Sequence, residues 1–351
     1  GFLALSSVTT GDNNVAMGYL AGRLINSGVQ NVLIGGNTGD ALLTGERNVA
    51  IGHGAFSAAN GSESRNTAIG WSALALMDAD GNGNNTAVGY NSGAAITTGT
   101  RNTIIGGLAG DALTTGSQST FVGYQAGGAT TDQSFNTAIG DSALSANVNG
   151  ARNVAIGNAA LANMNPSSDT DTYNIAIGYD AGNAITTGIK NTLIGGLAGD
   201  ALTTGVENTA IGYFALSTED TGSKNVAIGK GALAVLNFDG DGFNTAIGYN
   251  AGSAATSGVQ NTLIGGLAGD ALTTGVANVA VGYLALSTED ANGKNVAIGA
   301  SALKVQDAGA DAYNIAVGYN AGIAVTTGVQ NTIIGGLAGD SLTTGNFNIA
   351  I

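Results

Sequence analysis

Residues 244–260 read NTAIGYNAGSAATSGVQ and form one unit of a repeat that occupies residues 11–351. The unit opens with Asn, continues with a β-branched residue, a small or larger apolar residue, Ile or Val, and Gly, and usually restarts after 17 residues. Of the twenty restarts, nineteen hold Asn and only Ser119 departs from it. Periods of this length are typical of solenoids, whose repeats stack on their neighbours. We therefore predict an all-β fold, a parallel β-solenoid of about 20 coils.

Composition favours the same fold class. The chain has 59 Gly and a single Pro in 351 residues, which is too much glycine for helices, and it lacks the three-residue period of collagen. Because the repeat is continuous, we expect residues 1–351 to form a single repetitive segment of a longer fibre protein, although length alone would suggest several domains.

Charge and residue content exclude several function classes. The net charge is -14, with only ten Lys plus Arg and no cluster of them expected, so we expect no nucleic-acid partner. There is no Cys to support disulfides or thiolate chemistry. No apolar run approaches the length that spans a bilayer, so we expect no membrane insertion.

Each unit contains a short strand with two different apolar faces, because successive side chains of a strand alternate. In the unit at 244–260, Thr245 and Ile247 form a β-branched face that suits the interior of a coil, and Ala246 with Gly248 forms the other face. The narrow coil of a single chain has only one interior, so it can bury only one of these two faces. We therefore expect the second face to be covered by another copy of the chain, with the glycines either allowing that close approach or turning the corner of the coil.

Two columns of identical residues should run along the stack. An Asn side chain can donate and accept hydrogen bonds along a column of like neighbours, and Gly tolerates close backbone approach. The structural ladder is expected to include Asn174, Asn191, Asn208, Asn225, Asn244, Asn261, Asn278 and Asn295, with Gly178, Gly195, Gly212, Gly248 and Gly265.

A longer period of 70 residues separates near copies of one unit that open at Asn191, Asn261 and Asn331. Within each such set of four coils, one coil carries an acidic insertion, which should project from one edge of the solenoid. As a hypothesis, these loops bind calcium weakly, although Gly89 stands where the Glu of a calcium-binding EF-hand loop is needed. The weak candidate ligands are Asp78, Asp80, Asn82, Asp239 and Asp241.

The run Asn-Thr-Ala-Ile-Gly-Tyr followed by Thr-Thr-Gly resembles the head repeats of YadA-like trimeric adhesins. It is more closely similar to the 17-residue repeats of phage tail fibres and related fibres that end in an endosialidase-type chaperone domain. The resemblance implies a parallel homotrimer, each chain winding a β-roll or contributing to a triangular β-prism, in an elongated adhesive fibre. The units are longer than the roughly 14-residue coil of the adhesin heads.

Residues with catalytic potential are sparse. His53 is the only histidine and occupies a position usually held by Tyr, so we expect it to be a substituted repeat position. Paired carboxylates such as Asp239 and Asp241 are the arrangement used for glycoside hydrolysis, but they recur in turns, and we expect no enzymatic activity and no catalytic residue. The Tyr column that includes Tyr249 and Tyr283 either packs between coils or presents rings to sugars.

These observations favour a mechanical role: a shaft or head of a phage tail or virion fibre that positions receptor-binding tips. Its partners would be two further copies of itself and a host-surface glycan or protein, with no cofactor. The head of a bacterial surface adhesin is the alternative. A remoter alternative is an ice-binding solenoid, because Thr pairs such as Thr203-Thr204 recur, although they skip coils. A rod of twenty coils would be about 95 Å long.

Overall fold

The computed structural model describes residues 1–351 and confirms the predicted fold class. The chain is all-β and winds a parallel β-solenoid of about 20 coils, with no helix. It divides into two compact halves that each contain many repeats, called the first unit (Gly1–Asn174) and the second unit (Ile175–Ile351). No helix capable of crossing a membrane is found.

One short strand opens each coil, and two further two-residue strands, Gly150–Ala151 and Thr170–Asp171, pair with each other in a separate sheet. The first unit holds β1 (Val15–Met17), β2 (Val32–Ile34), β3 (Val49–Ile51), β4 (Thr67–Ile69), β5 (Thr86–Val88), β6 (Thr103–Ile105), β7 (Thr120–Val122), β8 (Thr137–Ile139), β9 (Gly150–Ala151), β10 (Val154–Ile156) and β11 (Thr170–Asp171). The second unit holds β12 (Ile175–Ile177), β13 (Thr192–Ile194), β14 (Thr209–Ile211), β15 (Val226–Ile228), β16 (Thr245–Ile247), β17 (Thr262–Ile264), β18 (Val279–Val281), β19 (Val296–Ile298), β20 (Ile315–Val317), β21 (Thr332–Ile334) and β22 (Ile349–Ala350).

Within each unit the strands pair in parallel and in register from coil to coil, so that Thr262 lies opposite Val279 and Ile264 opposite Val281. The turns pair in the same way, because the Gly252 N–H donates to the Ala268 carbonyl at 3.0 Å. This coil-to-coil bonding gives partners to the backbone groups that a strand of three residues cannot satisfy alone. Stacking therefore stabilises the coil where local propensity is weak.

The interior of the coil is lined by the middle residue of each strand. Ala246, Leu263 and Ala280 are fully buried, whereas the flanking β-branched residues, such as Thr262 and Ile264, are partly or largely exposed. The expectation that the β-branched face fills the interior was wrong. The interior of one coil is narrow, and Ala or a single Leu fills the space that two β-branched side chains would overfill.

Interior volume is shared between two positions of each coil. Where the strand centre is Leu263, the position six residues later is Gly269, and a Cβ added there would lie 2.8 Å from Leu263 Cδ2. Where the strand centre is Ala280, that position is the buried Leu286. In these two successive coils one large side chain thus fills this part of the core, from either position, as close packing requires.

The glycine that follows each strand lies against the next coil. Gly265 has a φ of +136°, and a Cβ on it would be 2.5 Å from the Gly282 carbonyl oxygen. The sequence left open whether these glycines serve contacts between chains or the corner of one chain. In the structure they serve the corner, because the close approach is between successive coils of the same chain.

Candidate functional site

An uncharged surface, the outward face, is formed by the first and third residues of the strands that open the coils. Every one of these residues is Thr, Val, Ile or Met. In the second unit, Ile264 is 36% exposed and Ile298 is 39% exposed, and each lies beside the glycine that ends its strand. Parallel sheets are typically covered on both faces. The outward face therefore has the character of a contact surface.

An aromatic column, defined as the aromatic residues that directly follow some of those glycines, runs beside the outward face. Tyr249 and Tyr283 are more than half exposed. Tyr283 also packs on the preceding coil, where a Cβ on Gly266 would lie 3.6 Å from its Cδ2. The Trp71 and Tyr90 rings stack with centroids 5.1 Å apart. The tyrosines thus pack between coils and also leave an edge open to partners.

A shallow groove of about 500 Å³ borders this column in the first unit. It is lined by His53, Trp71, Asn37 and Asp40. Partial burial raises the pKa of the Asp40 carboxyl, against the lowering effects of its own backbone hydrogen bond and of nearby Arg23. The His53 and Trp71 rings stack on each other with centroids 6.5 Å apart, so the faces of these rings that meet are covered. The groove places an aromatic edge beside polar groups.

The Asn column is buried and continuous within each unit. Asn244 Oδ1 accepts the backbone N–H of Asn261 at 3.0 Å, and Asn261 Nδ2 donates to the same oxygen at 3.3 Å and to the Gly275 carbonyl at 2.8 Å. Each side chain therefore joins two coils. At the departure from Asn, Ser119 Oγ accepts the N–H of Asn136 at 3.2 Å.

The predicted metal candidates of the second unit have other partners. Asp241 accepts a hydrogen bond from Lys224 Nζ at 2.6 Å, and Asp239 accepts one from the Thr221 hydroxyl. The ion pair holds the inserted loop against the preceding coil, where Ser223 and Asp241 also form a parallel bridge.

The candidates of the first unit lie around a buried carboxylate. Asp80 accepts a hydrogen bond from Ser62 at 3.4 Å, and Asn82 forms a parallel bridge with Ser64. Burial raises the pKa of Glu63, and the negative charges of Asp78 and Asp80 raise it further. These three acids are therefore electrostatically linked. The group of three carboxylates with the closest approach lies elsewhere, at Glu289, Asp290 and Asp307.

Sequence reasoning missed the buried glutamates, which replace apolar residues in an interior column. Glu219 accepts the N–H of Gly222 at 2.7 Å on Oε1 and that of Phe238 at 3.3 Å on Oε2. Glu289 accepts the N–H of Asn292 at 3.2 Å on Oε1, and the Asn292 side chain also favours its charged form, whereas Oε2 has no donor at hydrogen-bond distance. Burial raises the pKa of both carboxyls, that of Glu289 to about 7. The sequence signal was an acid in a slot that most other coils fill with an apolar residue, such as Leu236 and Leu272.

Sequence reasoning also missed a column of cations. The residue before the column Asn has a left-handed φ, 61° at Gln260 and 61° at Lys224. Seven of the ten Lys and Arg residues occupy this position, although they are far apart along the chain. Acids balance several of these charges, as Asp311 does for Lys294. The seven are Arg47, Arg65, Arg101, Arg152, Lys190, Lys224 and Lys294.

The recurring Thr pairs also take part in stacking. The first Thr of a pair donates its hydroxyl to the next coil, as Thr203 does to the Asp220 carbonyl at 2.9 Å and Thr186 does to the Thr203 carbonyl at 3.3 Å. A hydroxyl bound to backbone is less available to a flat array of ordered water.

No protein-family model matches the chain, and a search of curated proteins finds no similar sequence.

Proposed function

We propose that this chain is a structural segment, shaft or head, of a homotrimeric adhesive fibre of the phage tail or virion type, whose role is to position receptor-binding regions for attachment to a host surface. The observation that carries the proposal is the outward face. A soluble monomer normally exposes only small contiguous apolar patches, because apolar surface in water is unfavourable. Here the apolar pattern recurs in every coil.

A second copy of the same chain suits this face better than an unrelated partner. The face is uncharged and repeats with the coil, so identical chains in register would present matching residues at each level. The exposed Ile side chains would then be covered, and each coil would add an equivalent contact. The charged positions near Lys224 and Lys294, which form ion pairs with Asp241 and Asp311, would remain at the solvent.

Trimeric assembly would also explain how a segment with no evident catalytic constellation contributes to attachment. Three chains held together present three copies of any receptor-binding region, and the high effective concentration multiplies weak contacts. The partners under this proposal are two further copies of the chain and a host-surface glycan or protein.

The test is a matched pair of variants. Ile264→Lys places a charge on the outward face and should dissociate the assembly in sedimentation velocity, with the far-ultraviolet circular dichroism of the coil retained. Gln260→Lys is the control, because Lys already occupies the equivalent position at Lys190, Lys224 and Lys294. Equal sedimentation of both variants and the parent would refute assembly through this face.

Localisation has its own test. Antibodies against residues 1–351 should label an appendage of a virion in electron microscopy. Labelling of a bacterial envelope would instead support the alternative, the head of a surface adhesin.

A further inference from the structure

We propose that Glu289, Asp290 and Asp307 form a binding site for one calcium ion that joins two successive coils of the second unit. One carboxylate oxygen of each residue lies within 4.8 Å of the other two. Glu289 and Asp290 belong to one coil, and Asp307 begins the inserted loop of the next. The site does not depend on the proposed fibre function.

Independent evidence for a bound ligand comes from the hydrogen bonding of the Glu289 side chain. It is fully buried, yet Oε2 receives no hydrogen bond. A buried polar atom without a partner is unfavourable, and a buried carboxylate that faces two further carboxylates is more so. No Lys or Arg forms an ion pair with any of the three acids, and Lys294 of the same coil as Glu289 is bound to Asp311 and to the Tyr313 hydroxyl. A bound cation would supply the missing positive charge.

The ligand set favours calcium over magnesium. Calcium accepts a flexible shell of carboxylate and water oxygens, whereas magnesium demands near-ideal octahedral geometry and gives up its own waters reluctantly. The three carboxylate oxygens lie within 4.8 Å of one another, so one ion with ligand distances of about 2.3–2.6 Å can bridge them. Calcium also accepts six to eight oxygen ligands in irregular geometry, so water can complete the shell beside the two exposed aspartates.

The same chain contains a natural comparison 70 residues earlier. Glu219 and Asp220 correspond to Glu289 and Asp290, but the position of Asp307 is held by Asn237. There, both oxygens of Glu219 accept backbone N–H groups, and no group of three close carboxylates forms. The loss of the backbone donor to Oε2 and the gain of a third acid thus occur together at Glu289.

The experiment is a calcium titration of the chelator-treated chain 1–351 by isothermal calorimetry, with magnesium as the comparison ion. We expect one calcium per chain with a dissociation constant of about 10⁻⁴–10⁻³ M, the range of extracellular calcium modules, and magnesium binding weaker by about tenfold or more. Calcium should also raise the thermal unfolding midpoint. Asp307→Asn, which copies the Asn237 position on an exposed loop, should weaken calcium binding by about tenfold or more and abolish the thermal shift.

Asp220→Asn is the matched control, since it removes the same charge from the related coils, and it should bind calcium as the parent does. Two results would overturn the site: no calcium heat and no thermal shift in the parent, or equal calcium binding by Asp307→Asn and the parent. The second result would identify the heat as counterion binding by an acidic protein. Circular dichroism of each variant separates lost binding from lost folding.

Discussion

Replacing Gly265 with Ala should break the contact between two coils. At this residue φ is +136°, a conformation that side chains other than Gly rarely adopt, and the new Cβ would lie 2.5 Å from the Gly282 carbonyl oxygen, where ordinary contacts begin at 3.4 Å. Backbone strain of this kind costs about 1–3 kcal/mol. Overpacking against a backbone atom costs a further 1–3 kcal/mol or so. The free energy of unfolding should therefore fall by about 2–6 kcal/mol.

Gly266→Ala is the control for this experiment. Gly266 lacks the positive φ, and its Cβ would lie 3.6 Å from Tyr283 Cδ2, an ordinary contact, so the change should stay within about 1 kcal/mol. The assay is urea unfolding followed by circular dichroism at equal chain concentration, because association would make the midpoint concentration-dependent. If the free energies of unfolding of Gly265→Ala and Gly266→Ala differ by less than about 1 kcal/mol, the close approach of the two coils does not explain why Gly is needed at position 265.

Three further predictions concern the ladder, the core and a buried acid. Asn261→Ala should cost about 2–6 kcal/mol because it leaves two buried backbone groups unpaired, and Asn261→Ser should cost less because a hydroxyl can still accept, as urea unfolding of both variants will show. Leu263→Ala should lower the free energy of unfolding by about 2–5 kcal/mol in the same assay. The double variant with Gly269→Leu copies the arrangement of the neighbouring coil and should recover part of that stability. If both variants lose the same stability, the two positions do not share core volume. Burial raises the pKa of Glu219 above its usual 4.5, so the folded chain retains a proton that the unfolded chain releases, and stability should fall as pH rises from 4.5 through the folded value. Glu219→Gln should remove this decline in melting temperature, and an unchanged pH profile would contradict the assignment.

The coil and its columns could be predicted from sequence because the pattern repeats. A strand centred on Ala246 in one copy is weak evidence, but twenty copies, nineteen of which open with Asn, fix the period and the strand position. The repeat pattern could not predict which face of the strand points into the interior of the coil. Both Ala246 and Ile247 are apolar, and only the narrow width of the coil decides which of them lies inside.

Two other features depend on stacking and are hidden in the linear sequence. The left-handed conformation at Gln260 is unfavourable locally and is held by bonds to the adjacent coils, such as its N–H to the Gly242 carbonyl at 2.8 Å. The acids at Glu289 and Asp307 are 18 positions apart and meet only because one coil lies on the next. Which residues of successive coils become neighbours depends on the register between those coils, and the insertions shift that register.

The central claim, that the outward face covers itself with further copies of the chain, is tested most directly by the mass of the folded segment in solution. Sedimentation equilibrium of residues 1–351 should give three times the 34.1 kDa of one chain. A mass of 34.1 kDa across the concentration range, with the circular dichroism of an intact coil, would contradict the account.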